Sequence, residues 1–269
     1  MKTKTSIILC IAFFLLLSFN LKAQNGELAT SISTLKIDKK GTLVITPKSG
    51  NDLSVKTSLQ KLWKITMQNT KEGSEMNPKK YTVQPSADFE VRQQQNEIVL
   101  IYKNLKVDNR QLPLNAEFKI FLKDDAFCFS GTISSTSEEW IIRDLTYPIV
   151  SGIYVSDDQL KIYWPDGLGE CFSDPVAFGH KSFGYPGGKG DMSWFSINSA
   201  QNGLYMACHD PERSMKNFEL EYNTKDKTFA SSVTFPVFTN IFIVPEVQIC
   251  PYVGKWFEAS KRYRAFYDK

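Results

Sequence analysis

His180 and His209 are the only histidines in the 269-residue sequence, so they are the first candidates for proton transfer. An enzyme that epimerises a sugar at its anomeric hydroxyl needs a general acid and a general base, commonly a histidine and a glutamate. Glu170 and Glu246 could complete such a site with the two histidines. In the alternative interpretation His209 ends a strand, Asp210 caps the following turn, and the proline after it stops the ladder.

Hydrolysis of a glycosidic bond needs a different arrangement, two carboxyl groups about 5 to 9.5 Å apart. The sequence offers two pairs of adjacent acids, Asp124-Asp125 and Glu138-Glu139. The first pair occupies a predicted hairpin tip, and the second precedes a strand, in which neighbouring side chains point to opposite faces. Because charged side chains are rarely buried, we interpret both pairs as solvated charges. The sequence therefore predicts no catalytic carboxylate pair.

Aromatic residues near polar ones indicate sugar binding better than the pairs of adjacent acids do. A ring can bury the apolar face of a pyranose while aspartate, asparagine or histidine exchanges hydrogen bonds with its hydroxyl groups. Residues 157–191 are dense in glycine, proline and aromatic residues, and we expect them to form a long irregular binding segment. The candidate ligand-binding residues are Trp164, Asp166, His180, Phe183, Tyr185, Trp194, His209 and Asp210. In the alternative, Trp164 and Trp194 fill the core between two sheets.

Metal binding has less support in the sequence. Asp166 and Asp174 could hold calcium, although the loop spacing of an EF-hand is missing, and no other cofactor is expected. The cysteines after residue 23 show neither CxxC nor another metal-type spacing, which argues against a zinc site. Their disulfide pairing stays open, and they are Cys128, Cys171, Cys208 and Cys250.

Residues 1–23 have the features of a signal peptide. Lys2 and Lys4 precede an apolar run over residues 6–19, and the small residue Ala23 follows it. The run is too short to span a bilayer of roughly 30 Å as a stable helix, so we expect a cleaved, periplasmic or secreted product outside the membrane. Three of the 32 basic residues lie in this segment, which leaves 29 against 29 acidic residues. This balance argues against nucleic acid as a partner.

The rest of the sequence shows short β segments separated by polar turns, which predicts an all-β fold. Residues 34–37 and 42–46 flank a turn at Gly41, a pattern typical of a hairpin. Residues 126–134 alternate with the period of a half-buried antiparallel strand. Further strands are predicted at residues 98–105, 114–122, 194–198, 203–208, 218–222, 229–235 and 241–250.

The hydrophobic period changes after Gly254. Trp256, Ala259, Tyr263 and Phe266 recur at helical spacing and form one stripe of an amphipathic helix. The sequence therefore predicts a short carboxy-terminal helix on a β domain.

Several segments of the second half occur in an order and spacing that can be compared with a known family. They are YPG at 185–187, MSW at 192–194, GLYMACHDP at 203–211, KNF at 216–218 and GKWFEASKRYR at 254–264. With these segments the sequence resembles the amino-terminal β-supersandwich (galactose-mutarotase-like) domain of secreted bacterial glycoside-hydrolase-like proteins. The resemblance implies an antiparallel β-supersandwich over residues 24–253 and a linker helix over residues 254–269. In such proteins this helix leads into a catalytic (β/α)8 barrel, which is absent from this sequence.

These observations favour a non-catalytic, carbohydrate-facing module of a secreted glycoside-hydrolase-like protein that takes part in polysaccharide breakdown. Its expected partners are an oligo- or polysaccharide and a catalytic barrel domain. Trp256 and Tyr263 are the expected docking residues, and docking requires both to be partly exposed. Two alternatives remain, a free-standing carbohydrate-binding module and a mutarotase-like sugar epimerase. The epimerase requires His180 and His209 in one pocket beside a carboxylate.

Overall fold

The computed structural model describes residues 25–50, 52–74, 77–156, 159–187 and 190–269. The predicted signal peptide, residues 1–23, lies outside these ranges. Among the described residues, no helix has the length and apolar character needed to cross a membrane.

Strands make up most of the described chain. They are β1 (Gly26–Ala29), β2 (Ser33–Ile37), β3 (Thr42–Pro47), β4 (Leu53–Ser58), β5 (Lys64–Gly73), β6 (Pro78–Val83), β7 (Phe89–Gln94), β8 (Glu97–Tyr102), β9 (Lys106–Val107), β10 (Arg110–Gln111), β11 (Leu114–Lys123), β12 (Ala126–Ser135), β13 (Trp140–Val155), β14 (Lys161–Trp164), β15 (Glu170–Phe172), β16 (His180–Tyr185), β17 (Trp194–Asn198), β18 (Asn202–His209), β19 (Lys216–Asn223), β20 (Thr228–Thr239) and β21 (Ile241–Val253). The helices are α1 (Pro175–Phe178) and α2 (Trp256–Tyr267), with one 3-10 turn at Leu59–Lys61.

Two antiparallel sheets contain almost all of these strands. Within the described ranges, one sheet has ten strands in the order β1-β2-β3-β4-β13-β20-β19-β16, with β5 paired to β13 and β6 paired to β5. The other has nine strands in the order β15-β14-β17-β18-β21-β12-β11-β8-β7, and β9 pairs with β10. The prediction of an all-β, antiparallel β-supersandwich with a short carboxy-terminal helix is confirmed.

The main core lies between the two sheets. On β12 the predicted alternation is present, because Phe127, Phe129 and Ile133 point inward and are fully buried. Across the layer, Phe118 of β11 stacks on Tyr147 of β13 with ring centroids 4.2 Å apart. Burial of each such side chain contributes about 1.5 to 3 kcal/mol, so these rings hold the sheets together.

Strand β13 spans 16 residues and was not predicted from the sequence. It pairs with β20 along one side, and on the other side with β5 and then with β4. Its register shifts between Ile142 and Asp144, between Thr146 and Ile149, and again further along the strand. Each shift changes which residues point inward, so no simple alternation is left in the sequence.

The expectation of an irregular segment over residues 157–191 is wrong. Its described part contains β14, β15, α1 and β16. Ile162 and Trp164 of β14 point into the core. Asp174 caps α1, since its carboxylate accepts hydrogen bonds from the backbone N–H groups of Val176 and Ala177 at 2.8 and 3.2 Å. The aromatic residues that suggested a binding loop are therefore core residues of short strands.

A second, smaller core lies on the outer surface of the nine-stranded sheet, under α2. Trp194 and Tyr205 of the sheet pack there against Ala259 and Tyr263 of the helix. The predicted stripe faces the sheet, with Ala259 and Tyr263 buried and Phe266 partly buried. The helix prediction is confirmed, and α2 forms one wall of a cleft along the sheet.

Candidate functional site

A cleft of about 1090 Å³ follows α2 along the outer surface of the nine-stranded sheet. Three of the predicted ligand-binding residues line it: Tyr185, His209 and Asp210. From α2, Phe266 and Tyr267 contribute to its opposite wall. This cleft brings together more of the predicted site residues than any other described part of the surface.

His209 lies at the end of β18, directly opposite Glu246 of β21 in the sheet register. Its Nδ1 is 3.7 Å from Glu246 Oε1, and its Nε2 is 3.0 Å from the Tyr205 hydroxyl. Phe266 of α2 covers the imidazole in a parallel stack with centroids 4.4 Å apart. The structure therefore places two of the four candidate epimerase residues, His209 and Glu246, side by side.

The surroundings of this pair do not suit proton transfer to a sugar. Glu246 accepts hydrogen bonds from Lys123 Nζ at 2.7 Å and from Gln248 Nε2 at 2.8 Å, so its carboxylate is already paired. Burial lowers the pKa of His209 to about 4, although the charge of Glu246 acts in the opposite direction. With its side chain 9% exposed and one face under Phe266, the imidazole is neutral and shielded from solvent near pH 7.

Asp210 organises the loop between β18 and β19. Its carboxylate accepts hydrogen bonds from the backbone N–H groups of Glu212 and Ser214 at 3.0 and 2.8 Å. Lys216 Nζ lies 2.9 Å from Asp210 Oδ2, and both side chains are almost fully buried. Burial alone raises the pKa of Asp210, but the hydrogen bond and charge of Lys216 outweigh it and hold the pKa below its ordinary value. Asp210 is thus an ionised partner in a buried ion pair, and its carboxylate caps a turn.

The other acidic residues that line the cleft also form hydrogen bonds or ion pairs. Asp125 accepts hydrogen bonds from the backbone and hydroxyl of Ser31, and these outweigh partial burial, so its pKa is lowered. Glu258 pairs with Lys261 at 3.0 Å. Asp124 lies 3.6 Å from the Lys269 ammonium. A glycosidase acid has a raised pKa, which Asp125 and Asp210 lack.

Most of the aromatic residues predicted to stack on a sugar are buried in the core. Trp164 is 1% exposed, Phe183 2%, Trp194 5% and Tyr185 7%. Trp164 packs edge-on against Phe183 with centroids 4.8 Å apart, between the two sheets. The binding role is corrected for Trp164, Phe183 and Trp194, because their ring faces already contact protein. The alternative interpretation, in which the two tryptophans are core residues, describes their positions.

The remaining predicted residues lie away from the cleft. His180 begins β16, opposite Glu221 on the neighbouring strand, and is exposed. Glu170 lies on edge strand β15, 3.9 Å from Lys181 Nζ. Asp166 forms an isolated bridge with Gly190. None of these residues lines the cleft around His209, so the structure does not bring the two histidines into one pocket.

The structure offers no framework for a metal site in the described ranges, where no group of three or more His, Cys, Asp or Glu side chains could hold an ion. Asp174, one of the two calcium candidates, caps α1 instead. The four cysteines at 128, 171, 208 and 250 are free thiols. Burial raises the pKa of Cys208 to about 12 and that of Cys250 to about 11, which makes both unreactive.

The two predicted docking residues differ in exposure. Trp256 is 41% exposed and leans on Tyr163, with ring centroids 5.4 Å apart. Tyr263 is 6% exposed, packs against Trp194 and accepts a hydrogen bond from the backbone N–H of Ser193 at 3.3 Å. Only Trp256 therefore has the exposure that docking requires, because Tyr263 attaches α2 to the sheet.

Sequence reasoning missed several residues that line the cleft or lie buried beneath it. Tyr205 reaches His209 from four positions earlier on β18, and Lys123 reaches Glu246 from β11. Arg213 lines the cleft with its guanidinium 5.0 Å from the ring centre of Tyr267. Their sequence positions carry no motif, since contacts across strands depend on register. The i, i+4 spacing of Tyr205 and His209 places both on one face of a strand, and it was the one available signal.

No family model and no curated protein matches this sequence. The solved structures that share its fold include two bacterial glycosidases. The first is an α-N-acetylgalactosaminidase from Bifidobacterium bifidum, with a TM-score of 0.56 and 12% identity, over 90% of this chain and 38% of that one. The second is an α-galactosidase from Lactobacillus brevis, with a TM-score of 0.50 and 10% identity, over 90% of this chain and 41% of that one. At such identities the likeness concerns the fold alone, and this chain spans about two fifths of either enzyme.

Proposed function

We propose that this chain is a non-catalytic, carbohydrate-facing module that works beside the catalytic domain of an exported glycoside-hydrolase-like protein. The observation that carries the proposal is the fold likeness, in which 90% of this chain corresponds to 38% of one glycosidase and 41% of another. The signal-peptide features of residues 1–23 support export to the periplasm or beyond, where polysaccharides are met.

The state of the acids in the cleft supports a non-catalytic role. Glycoside hydrolysis needs one carboxyl group that stays protonated and a second that is ionised and free to act. Asp210 is held ionised by Lys216, and Glu246 is paired with Lys123. His209, which could replace one acid in an epimerase, is covered by Phe266. Asp210, Glu246 and His209 are therefore not available as an acid and a base, and we do not favour the epimerase.

The start of α2 supports a role beside another domain. Trp256 and Phe257 are 41% and 55% exposed, although large aromatic residues are usually buried. Val253, just before the helix, is 58% exposed. Such a group of exposed apolar side chains, close together in the sequence, is typical of an interaction surface. We propose that Trp256 and its neighbours contact the catalytic domain.

The test is an assay of the purified chain from residue 24 onward with aryl α-galactoside and aryl α-N-acetylgalactosaminide substrates. We expect no turnover above the buffer rate, and weak retardation of the chain in native gels that contain soluble polysaccharides. Glu246→Gln is the matched control, because it removes the carboxylate beside His209. Hydrolysis by the wild-type chain that disappears in Glu246→Gln would overturn the non-catalytic proposal.

A further inference from the structure

Arg213 has a fixed position on the wall of the cleft. It lies in the loop between β18 and β19, and its φ is 52°, in the left-handed region that few residues other than glycine and asparagine adopt. The buried Asp210 carboxylate binds the backbone N–H groups on both sides of it, those of Glu212 and Ser214. The N–H of Arg213 itself donates to the Asp210 carbonyl oxygen at 3.1 Å. Strained residues of this kind persist where the surrounding structure fixes them, and they are enriched at binding sites.

The guanidinium of Arg213 lies beside two tyrosines. Its central carbon is 5.0 Å from the ring centre of Tyr267 of α2, a cation–π contact. Tyr185 lies at the same end of the cleft, since the charge of Arg213 acts on it. Burial raises the pKa of Tyr185 to about 12, and the charge of Arg213 acts in the opposite direction. The phenol of Tyr185 therefore keeps its proton near pH 7.

The side chain of Arg213 has neither an acidic partner nor a hydrogen bond within the described ranges, and this distinguishes it from the other basic residues that line the cleft. Those residues are engaged as follows: Lys123 pairs with Glu246, Lys261 with Glu258 and Lys269 with Asp124, and Arg262 donates a hydrogen bond to the Asp124 carbonyl oxygen at 3.1 Å. The nearby Lys216 is paired with Asp210. An anion in the cleft could therefore bind Arg213 without displacing a carboxylate of the protein.

We propose that Arg213 binds the anionic group, carboxylate or sulfate, of an acidic sugar ring in the cleft along α2. A guanidinium presents a planar fork of N–H donors that can bind two oxygens of such a group at once. The ring of Tyr267, which is 56% exposed beside it, can contact the sugar ring. This inference rests on the proposed carbohydrate-facing function and gives that function a substrate class, glycans that carry negative charge.

An acidic segment of a protein is the other class of ligand to consider. Proteins that attract acidic partners commonly present a patch of several positive charges to them. Here a single unpaired guanidinium, among the described residues, lies in a concave cleft of about 1090 Å³. Sites for small molecules are concave, have volumes of about 300 to 1000 Å³ and contain few polar groups. The shape of the cleft and its isolated charge therefore favour a sugar.

The test is a calorimetric titration at pH 7 of the chain from residue 24 onward with short oligosaccharides. Oligogalacturonate and oligomannuronate carry carboxylates, carrageenan oligosaccharides carry sulfates, and methyl-esterified oligogalacturonate and galactotriose are neutral. We expect the wild type to bind a charged oligosaccharide, and Arg213→Gln to bind it about tenfold more weakly or worse, as the loss of a hydrogen bond between charged groups implies.

Two further variants separate the guanidinium from its charge. Arg264→Gln is the matched control, because it removes the same charge from an exposed position on α2 that does not line the cleft. It should bind as the wild type does. Arg213→Lys keeps the charge but loses the planar fork, so its affinity should lie between those of the wild type and Arg213→Gln. Arg213 is exposed, so its variants should fold, which circular dichroism checks.

Each outcome bears on the proposal. Arg213-dependent binding of the uronates identifies a carboxylate as the anionic group, and such binding of carrageenan oligosaccharides identifies a sulfate. Binding of charged sugars that Arg213→Gln keeps in full, equal losses in Arg213→Gln and Arg264→Gln, or binding of the neutral sugars alone overturns the acidic-sugar site and leaves the carbohydrate-facing function standing. Absence of binding to every oligosaccharide overturns both. Arg213-dependent binding of polyglutamate, without binding of any sugar, would identify a protein partner and overturn both as well.

Discussion

At His209, burial has a larger effect than the attraction of a nearby carboxylate. The imidazole lies between Phe266 and the sheet, and its pKa falls to about 4 even though Glu246 Oε1 is 3.7 Å away. In the unfolded chain its pKa returns to an ordinary value near 6.5. The unfolded state therefore binds a proton that the folded state does not bind between these two pH values.

The first prediction is a loss of stability as the pH falls from about 6.5 towards 4. The decrease that His209 contributes is up to about 3 kcal/mol, following the difference between its two pKa values. His209→Gln should remove this component, and His180→Gln, the same replacement at an exposed position, is the matched control. Urea unfolding of the three proteins at pH 7, 5.5 and 4 measures the difference. Equal slopes for wild type and His209→Gln would contradict the assigned burial.

The second prediction concerns a close approach at Gly203. A Cβ atom there would lie 2.4 Å from the Tyr252 ring and 2.6 Å from Asn198 Nδ2. Tyr252 donates a hydrogen bond to Asn198 Oδ1 at 2.7 Å, and the clash would break it. We expect Gly203→Ala to lower the free energy of unfolding by about 1 to 3 kcal/mol. Gly184→Ala is the control, since no heavy atom lies within 4 Å of its added Cβ. If the two variants lower the midpoint of thermal unfolding equally, the close approach at Gly203 is not the cause.

At the scale of elements, α2 is attached mainly through Tyr263. The ring packs on Trp194 with centroids 6.2 Å apart, and the hydroxyl accepts a hydrogen bond from Ser193. The main core between the two sheets does not involve the helix. The helix and the strands can therefore lose structure separately, as local unfolding units do.

The third prediction is that Tyr263→Ala loosens α2 while the sandwich stays folded. Removal of a buried aromatic ring costs about 3 to 5 kcal/mol locally, enough to free the helix. Hydrogen exchange of residues 256–267 should become much faster, with the exchange of β11 and β12 unchanged. Phe257→Ala, on the exposed surface of the same helix, should leave both regions as they are. Uniformly faster exchange in Tyr263→Ala would show that α2 and the sandwich unfold together.

The strands that the sequence predicted are short apolar segments bounded by polar turns, as in the hairpin of β11 and β12 and in β17 to β21. The helix α2 was predicted because its buried residues recur at helical spacing. β13 was missed because its register shifts erase the alternation, and β14 to β16 were missed because Gly and Pro between short strands look like a loop. The site was harder to predict, because the contact of His209 with Glu246 joins residues that are far apart in the sequence.

At the scale of the whole molecule, the protein has two hydrophobic cores. The main core lies between the two sheets, and the second lies between the nine-stranded sheet and α2. Asp52, just before β4, links the sheets, since it accepts hydrogen bonds from Ser199 Oγ and Asn202 Nδ2 at 2.8 Å each. The fold is shared with parts of two glycosidases, and the aromatic residues left exposed on α2 are those that a neighbouring domain could bury.

The position of α2 in the chain has a consequence for how the protein is made. Synthesis proceeds from the amino terminus at roughly 5 to 20 residues per second, so every strand of the nine-stranded sheet leaves the ribosome before the helix that covers it. Until α2 has been synthesised, Trp194 and Tyr205 form an exposed hydrophobic surface. We therefore expect nascent chains whose synthesis stops before residue 256 to bind chaperones or to aggregate.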